Sequence, residues 1–287
     1  MAGMRVLVLG ATGKTGRQVV RALNSVDGVD VRAVSRSGGP IDDGTLVRFD
    51  WDDRTSWAPV VDGVDAVYLV DSQQSDAAQS MSDFTAVAQR AGVGHAVLLS
   101  SRDAVVSHRP GDAAVVSAVQ SSGMTWTVLR PTWFMQVFSE WDLFRDGIIE
   151  RHLVGTSGDG LEPFIDTRDI GDVAAAALVD AERHAGKDYQ LSGPDLLTFA
   201  EAARKIGKAS GEDVDFEQMA DDDFVSYLAQ RRGVAGPLAQ DLAQVFGWIR
   251  EGRNAHVSDG VREVLGRAPR TFDDFVGEIA AQGLWRR

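Results

Sequence analysis

The sequence predicts an α/β protein with a doubly wound parallel sheet and a smaller, mostly helical C-terminal lobe. Three observations carry this. Short apolar runs alternate with helical patterns through the first half. A glycine-rich run stands at the first strand-to-helix boundary. From Thr198 onward the pattern is almost entirely helical. Apolar runs at residues 5–9, 29–34, 46–49, 66–70, 96–100 and 126–129 read as strands, because strands covered on both faces lose the polar alternation. Helical patterns at 16–24, 77–91 and 112–122 fall between them. Strand–helix alternation implies right-handed crossovers, and therefore a parallel sheet.

The second half continues with an alanine-rich helix at 169–181 and a strand at 187–191. Helices follow at 198–209, 221–232, 238–250, 258–265 and 271–282. Thr198 and Glu201 have capping-box spacing at the first of these. Gly193-Pro194, the loop around Gly211 and residues 233–237 are breakers. The expected division is a nucleotide-binding domain at 1–155 and a substrate lobe at 156–287, whose strand returns to the sheet.

The 287 residues are 44% hydrophobic and 25% charged, an ordinary globular balance. The absence of cysteine excludes disulfides, thiolate metal sites and a cysteine nucleophile. His95, His108, His152, His184 and His256 are scattered and no His-Glu-x-x-His occurs, so no metal site is expected. No Gly-x-Ser-x-Gly elbow occurs either. With 29 basic and 42 acidic residues the net charge is −13, which repels nucleic acid. The basic pairs Arg231-Arg232 and Arg286-Arg287 are too short to reverse that. No apolar run approaches the roughly 18 residues of a membrane span, and residues 5–9 are too short for a signal peptide. The expectation is a cytoplasmic protein without membrane or nucleic-acid partners. Its oligomeric state is left open.

The strongest motif is Gly10-Ala11-Thr12-Gly13-Lys14-Thr15-Gly16. Glycines there permit a tight turn, close approach to a pyrophosphate and helix–strand packing. The helix N-terminus adds free N–H groups and partial positive charge. The run lacks the four-residue spacer of a nucleoside-triphosphate loop. At the end of the second strand, where an NAD enzyme carries an acid, the chain reads Ser35-Arg36-Ser37. Arg36 and the serines suit a 2′-phosphate, so the expected cofactor is NADP(H). Asp50 and Trp51 close the third strand, beside the expected adenine position.

The loop, Phe49-Asp50-Trp51-Asp52-Asp53, Val97-Leu98-Leu99-Ser100-Ser101, residues 122–136 and Phe164-Ile165-Asp166-Thr167-Arg168-Asp169-Ile170 together resemble the atypical short-chain dehydrogenase/reductases and, within them, the NmrA-like proteins. The tail at 249–272 is similar to the ergot-alkaloid reductase branch. The resemblance implies that Gly10, Thr12, Gly13, Lys14, Thr15, Gly16 and Arg36 hold phosphates, and that Asp50 and Trp51 flank adenine. It places Val70, Asp71 and Ser72 under the nicotinamide ribose, and Ser100, Ser101 and Arg102 on the nicotinamide side. Pro131, Trp133 and Phe134 would border the ring and the substrate mouth. The group includes NADPH-dependent quinone, isoflavone and iminium reductases, NADP-sensing regulators, and enzymes of aromatic polyketide biosynthesis.

The usual Tyr-x-x-x-Lys catalyst is missing: Ser72, Gly193 and Arg231 stand four residues after Tyr68, Tyr189 and Tyr227. Val116 stands where relatives of this branch often carry Glu. Candidate catalytic residues are His108, whose ordinary pKa near 6.5 suits a proton donor, with Ser101 and Gln136. Asp103, Arg109 and Trp141 lie nearby in sequence. Asp166 and Asp169 read as helix caps. Trp133, Phe134, Met135, Phe138, Trp141 and Phe144 suggest an aromatic-lined pocket, although their spacing also suits a packed helix. The expected function is NADPH-dependent reduction of a planar aromatic, quinonoid or iminium small molecule in secondary metabolism, with reductive coupling of aromatic polyketide units as a variant. The alternatives are a non-catalytic NADP(H) sensor acting through a protein partner, and a non-redox catalyst with structural NADP.

Overall fold

The computed structural model describes residues 3–41, 44–103 and 110–286. The chain begins with β1 (Met4–Val8), α1 (Gly16–Asn24), β2 (Val29–Ser35), β3 (Gly39–Ile41) and β4 (Gly44–Arg48). A 3₁₀ turn at Arg54–Ser56 leads into α2 (Trp57–Val61), β5 (Ala66–Leu69), α3 (Ala77–Arg90), β6 (His95–Leu99), α4 (Pro110–Gln120) and β7 (Thr125–Pro131). Next come α5 (Val137–Glu140), α6 (Asp142–Ile149), β8 (His152–Gly155), α7 (Thr167–Val179), α8 (Ala181–His184) and β9 (Lys187–Leu191). The remainder is α9 (Phe199–Ser210), β10 (Asp215–Gln218), α10 (Asp221–Arg231), α11 (Pro237–Arg250), α12 (Gly260–Leu265) and α13 (Phe272–Ala281).

Two compact units result. The first comprises Met1–Pro131, Thr167–Leu191 and Gly260–Arg267. The second comprises Thr132–Asp166, Ser192–Asp259 and Ala268–Arg287. The sequence reading cuts the chain once, after residue 155; the structure interleaves it. The reason is strand pairing: β9 pairs in parallel with β7, so α7 and β9 return to the first unit.

In the first unit the sheet order is β3-β4-β2-β1-β5-β6-β7-β9. All neighbours are parallel except β3, which runs antiparallel to β4. The Gly39-Pro40 start of β3 hides it from sequence patterning, and proline is tolerated because this is an edge strand. Val6 to Leu9 and Ala66 to Leu69 are fully buried, which is why their runs carry no alternation. Helix α3 buries Met81, Phe84 and Ala88 at helical spacing, and α4 buries Val115, Val116 and Val119.

The second unit is built on a different core. Phe138, Phe144, Phe164, Phe199, Phe246 and Phe272 are buried together, with Phe199 and Phe246 ring centroids 4.9 Å apart. Strand β10 pairs in parallel with β8, Asp215 opposite His152. Helix α9 opens on a capping box: Glu201 N donates to Thr198 Oγ1 at 3.0 Å, and Thr198 N donates to Glu201 Oε2 at 2.9 Å.

Two histidines are buried at the start of the β6–β7–β9 ladder. His95 Nδ1 lies 2.8 Å from Thr125 Oγ1, and His184 Nδ1 lies 2.9 Å from Tyr189 Oη. Burial, and behind it the nearby His184, pushes the His95 pKa down to about 4; burial lowers that of His184 as well. An unfolded histidine takes its proton near pH 6.5, so between pH 6.5 and 4 the unfolded chain binds more protons than the folded one. Stability is therefore fully present above pH 6.5 and falls as the pH drops toward 4, by on the order of 3 kcal/mol for His95. Denaturant midpoints between pH 7.5 and 4.5 are expected to fall in the wild type and to flatten in His95→Gln. Parallel curves for the two proteins would remove this assignment.

Candidate functional site

The glycine-rich loop leaves β1 and is clamped at both sides. Leu9 N donates to Tyr68 O of β5 at 3.1 Å, and Ala11 N to Val34 O of β2 at 3.1 Å. Gly13 N closes back on Gly10 O at 2.8 Å. Gly10 takes a φ of +63°, a conformation that favours glycine. Gly16 is required for space: a Cβ there would lie 2.1 Å from Gly10 O and 2.7 Å from Gly10 C. The first-turn amides of Arg17 and Gln18 donate to Gly13 O and Thr15 O, at 3.2 and 2.9 Å. The amides of Thr12, Lys14, Thr15 and Gly16 meet no acceptor among the described residues. Thr12 and Gly13 are exposed and Lys14 is half-buried, while Thr15 and Gly16 sit inside the turn. An anion at this place meets open N–H groups at a helix N-terminus.

Arg36 follows β2 directly. It is exposed and has no ion-pair partner among the described residues; Lys14 likewise pairs with no carboxylate. In a chain of net charge −13, Lys14 lies within the loop and Arg36 follows the strand whose Val34 O receives the loop's Ala11 N. Ser35 is buried, and its Oγ accepts from Gly38 N at 3.2 Å, shaping the turn that carries Arg36.

After β4, Asp50 Oδ1 accepts from Asp52 N at 3.1 Å, and Asp50 O accepts from Trp57 Nε1 at 2.9 Å. Trp51 is half-buried and meets Phe49, Trp57 and Phe84 edge-on, at centroid distances of 5.1, 5.8 and 5.5 Å. Most of its contacts are thus packing. Nearby, the Arg48 guanidinium holds the Asp53 carboxyl below its usual pKa range.

Val70, Asp71 and Ser72 are half-buried at the end of β5. They lead into Gln73, which has a φ of +58° although it is not glycine. Asp71 Oδ1 accepts from Gln73 N at 2.9 Å and holds that turn. Gln74 Nε2 donates to both oxygens of Asp52, at 3.2 and 3.3 Å, tying this loop to the one after β4. Patterning gave no signal for these glutamines; the backbone dihedral marks Gln73, and the bonds to Asp52 mark Gln74. Ser100 N donates to Leu129 O at 2.8 Å, and Arg102 N to Pro131 O at 3.0 Å. Ser101 is half-buried, whereas Arg102 is only 1% exposed. The first-unit residues singled out from the sequence therefore gather at the carboxyl ends of β1, β2, β4, β5, β6 and β7, where open α/β sheets bind ligands.

Trp133, Phe134 and Gln136 belong to the second unit. Trp133 is half-buried and packs on Phe144, Phe199 and Phe246 at 6.1, 5.5 and 5.4 Å. Its backbone N–H donates to Glu162 Oε1 at 3.2 Å, and Glu162 is fully buried, a carboxylate the sequence gave no reason to choose. Phe134 is half-buried and bridges to Ile165. Gln136 is 6% exposed, and its Nε2 donates to Asp166 Oδ1 at 2.9 Å. In the first unit Asp169 is buried in the first turn of α7 and pairs with Arg267 at 2.8 Å. His108 and Arg109 lie outside the described residues. Val116 belongs to the core that α4 helps to form.

Parallel strands, alternating helices and an open-amide glycine loop after the first strand define a Rossmann-type protein with a helical C-terminal region. The sequence profile of the NmrA-like family matches residues 3–276, and the chain belongs to that family. Among curated proteins it is 31% identical to the uncharacterized oxidoreductase YesF of Bacillus subtilis, over 96% of this chain and 95% of that one. It is 29% identical to festuclavine dehydrogenase easG of Aspergillus fumigatus, over 99% of this chain and 100% of that one. Among solved structures, the NADPH-dependent quinone oxidoreductase QOR2 of Escherichia coli, complexed with NADPH, superposes with a TM-score of 0.80. The identity there is 22%, and the match covers 96% of this chain and 99% of that one.

Proposed function

We propose that this protein is an NADPH-dependent reductase of a planar aromatic, quinonoid or iminium small molecule in secondary metabolism. The observation that carries the reading is the loop: four open amides and a Gly16 position where a Cβ would meet Gly10, with Lys14 in the loop and Arg36 after β2 both without an ion-pair partner among the described residues. Gly10, Thr12, Gly13, Lys14, Thr15 and Gly16 hold the pyrophosphate, and Arg36 holds the 2′-phosphate. Asp50 receives the adenine amino group, and Trp51 offers the part of its ring not used in packing. Val70, Asp71, Ser72, Ser100, Ser101, Arg102 and Pro131 support the nicotinamide half. When bound, NADPH supplies a hydride. Trp133, Phe134 and Gln136 are assigned to acceptor recognition, with the Gln136 amide held in one orientation by Asp166.

No Tyr-x-x-x-Lys pair is present to protonate a carbonyl oxygen. The acceptor that suits such a site takes a hydride without a strong general acid, as quinones and iminium ions do. Ser101 hydrogen-bonds the acceptor, and His108 or solvent delivers any proton required. The dehydrogenase and oxidoreductase names of the two curated relatives support this class of reaction.

The test is NADPH consumption by the purified protein against a panel of polycyclic quinones and iminium compounds, with product masses recorded. Turnover with a two-hydrogen mass gain is expected from quinones, and a doubled mass identifies reductive coupling of two aromatic units. Tight binding that separates NADP+ from NADPH, without turnover of any acceptor, moves the assignment to a cofactor sensor acting through a protein partner.

A further inference from the structure

A cavity of about 380 Å³ lies within the first unit, where α1 ends rather than where it begins at the glycine-rich loop. Its walls are apolar: Ala22 and Val26 from the end of α1 and just beyond it, Ala175, Ala176 and Val179 from α7, and Val264 from α12. Nearer the loop the two long helices touch, since a Cβ on Gly171 would lie 2.6 Å from Gln18 C and Cβ. One turn on along both helices stand Ala22 and Ala175, whose small side chains leave that contact unfilled, and there the cavity opens. Its volume falls within the range of small-molecule sites.

His184 lines this cavity and is only 2% exposed. It is held in place: its carbonyl accepts from Thr127 Oγ1 at 2.7 Å, and its Nδ1 lies 2.9 Å from Tyr189 Oη. Its Nε2 meets no partner among the described residues. Burial raises the Tyr189 pKa and lowers that of His184, so at neutral pH the phenol keeps its proton and the imidazole is uncharged. The phenol is the better donor of the two, so it donates to Nδ1 and the ring proton stands on Nε2. The charges at the rim are unequally committed. Asp172 is paired with Arg267 at 2.6 Å. Asp180 Oδ1 accepts from Arg183 N at 3.3 Å as the cap of α8, but the Asp180 carboxylate and the Arg183 guanidinium make no ion pair among the described residues. Both residues are exposed at the cavity mouth.

We propose that this cavity is a second small-molecule site, for an α-amino acid with an apolar side chain. The ligand carboxylate meets the Arg183 guanidinium and His184 Nε2–H, the ammonium meets Asp180, and the side chain lies on the wall of Ala22, Ala175 and Val179. Charge complementarity selects this class. Asp180 repels a simple anion and Arg183 a simple cation, whereas a zwitterion satisfies both and gains two charge-assisted bonds. The apolar walls exclude a second charge on the side chain. The site is separate from the glycine-rich loop, so it does not depend on which cofactor the loop takes.

Calorimetric titration of the full chain with L-leucine and L-phenylalanine, each beside its deaminated and its decarboxylated analogue, tests the site. At least one of the two amino acids is expected to bind with a Kd on the order of 1 mM or below, and its two analogues about tenfold more weakly or worse. Arg183→Ala and Asp180→Asn each lose about tenfold for the amino acid. Asparagine still caps α8, so Asp180→Asn removes the charge without removing the cap. Ala176→Leu fills the space and abolishes binding. Far-UV circular dichroism establishes that the three variants are folded. The site is overturned if neither amino acid binds at up to about 20 mM, if an analogue binds as well as its parent, or if the folded variants keep wild-type affinity.

Discussion

Gly16→Ala is expected to raise the Kd for NADPH by more than about a hundredfold, close to 3 kcal/mol of binding free energy. The added Cβ would sit 2.1 Å from Gly10 O and 2.7 Å from Gly10 C, both backbone atoms that cannot rotate away. Gly10 is itself confined: a Cβ there would already lie 3.0 Å from Val70 Cγ2. Relief must therefore come from opening the turn, which misaligns the amides of Lys14, Thr15 and Gly16. Gly13→Ala is the control. Its Cβ meets a single atom, Gly10 O at 3.2 Å, at an exposed position, so a loss of roughly tenfold or less is expected. Fluorescence titration of NADPH with both variants checks the order. Equal losses would mean that the loop adapts and that helix–turn packing does not set the anion site.

Arg36→Ala is expected to weaken NADPH by ten- to a hundredfold and NADH by less than about threefold, because a charge-assisted contact to the 2′-phosphate contributes on the order of 1.5–3 kcal/mol. Arg36 can make that contact at little cost, since it is exposed and has no carboxylate among the described residues to give up. The same contact makes NADPH binding weaken with salt more steeply than NADH binding. Parallel losses of the two cofactors would remove the 2′-phosphate assignment while leaving the loop assignment standing.

Several features were legible before any coordinates. The strands at β1, β5 and β6 are buried on both faces, so an apolar run alone locates them. The loop was legible because its chemistry is local: turn, open amides and helix start lie within seven residues. Arg36 stands out as a candidate because the residue after β2 is where doubly wound dinucleotide folds discriminate a 2′-phosphate. Short elements were not. Strands β8 and β10 have four residues each, too few for a period to stand out, and they pair only because the helices around them bring them together. The aromatic run from Trp133 to Phe144 read equally as pocket lining and as packing. The structure gives packing for Phe138 and Phe144, both buried, and leaves Trp133 and Trp141 half-buried.

By itself, then, the sequence determined the parallel strands of the sheet, their alternation with helices, the family and the position of the glycine-rich loop, all of which depend on burial periodicity and on groups within a few residues of one another. Tertiary structure decided the rest. It interleaved the two units, placed Gln136 against Asp166 across 30 residues, and buried the whole of Tyr68 in β5. These depend on which distant side chains share one enclosed space, a property of packing that no local pattern encodes.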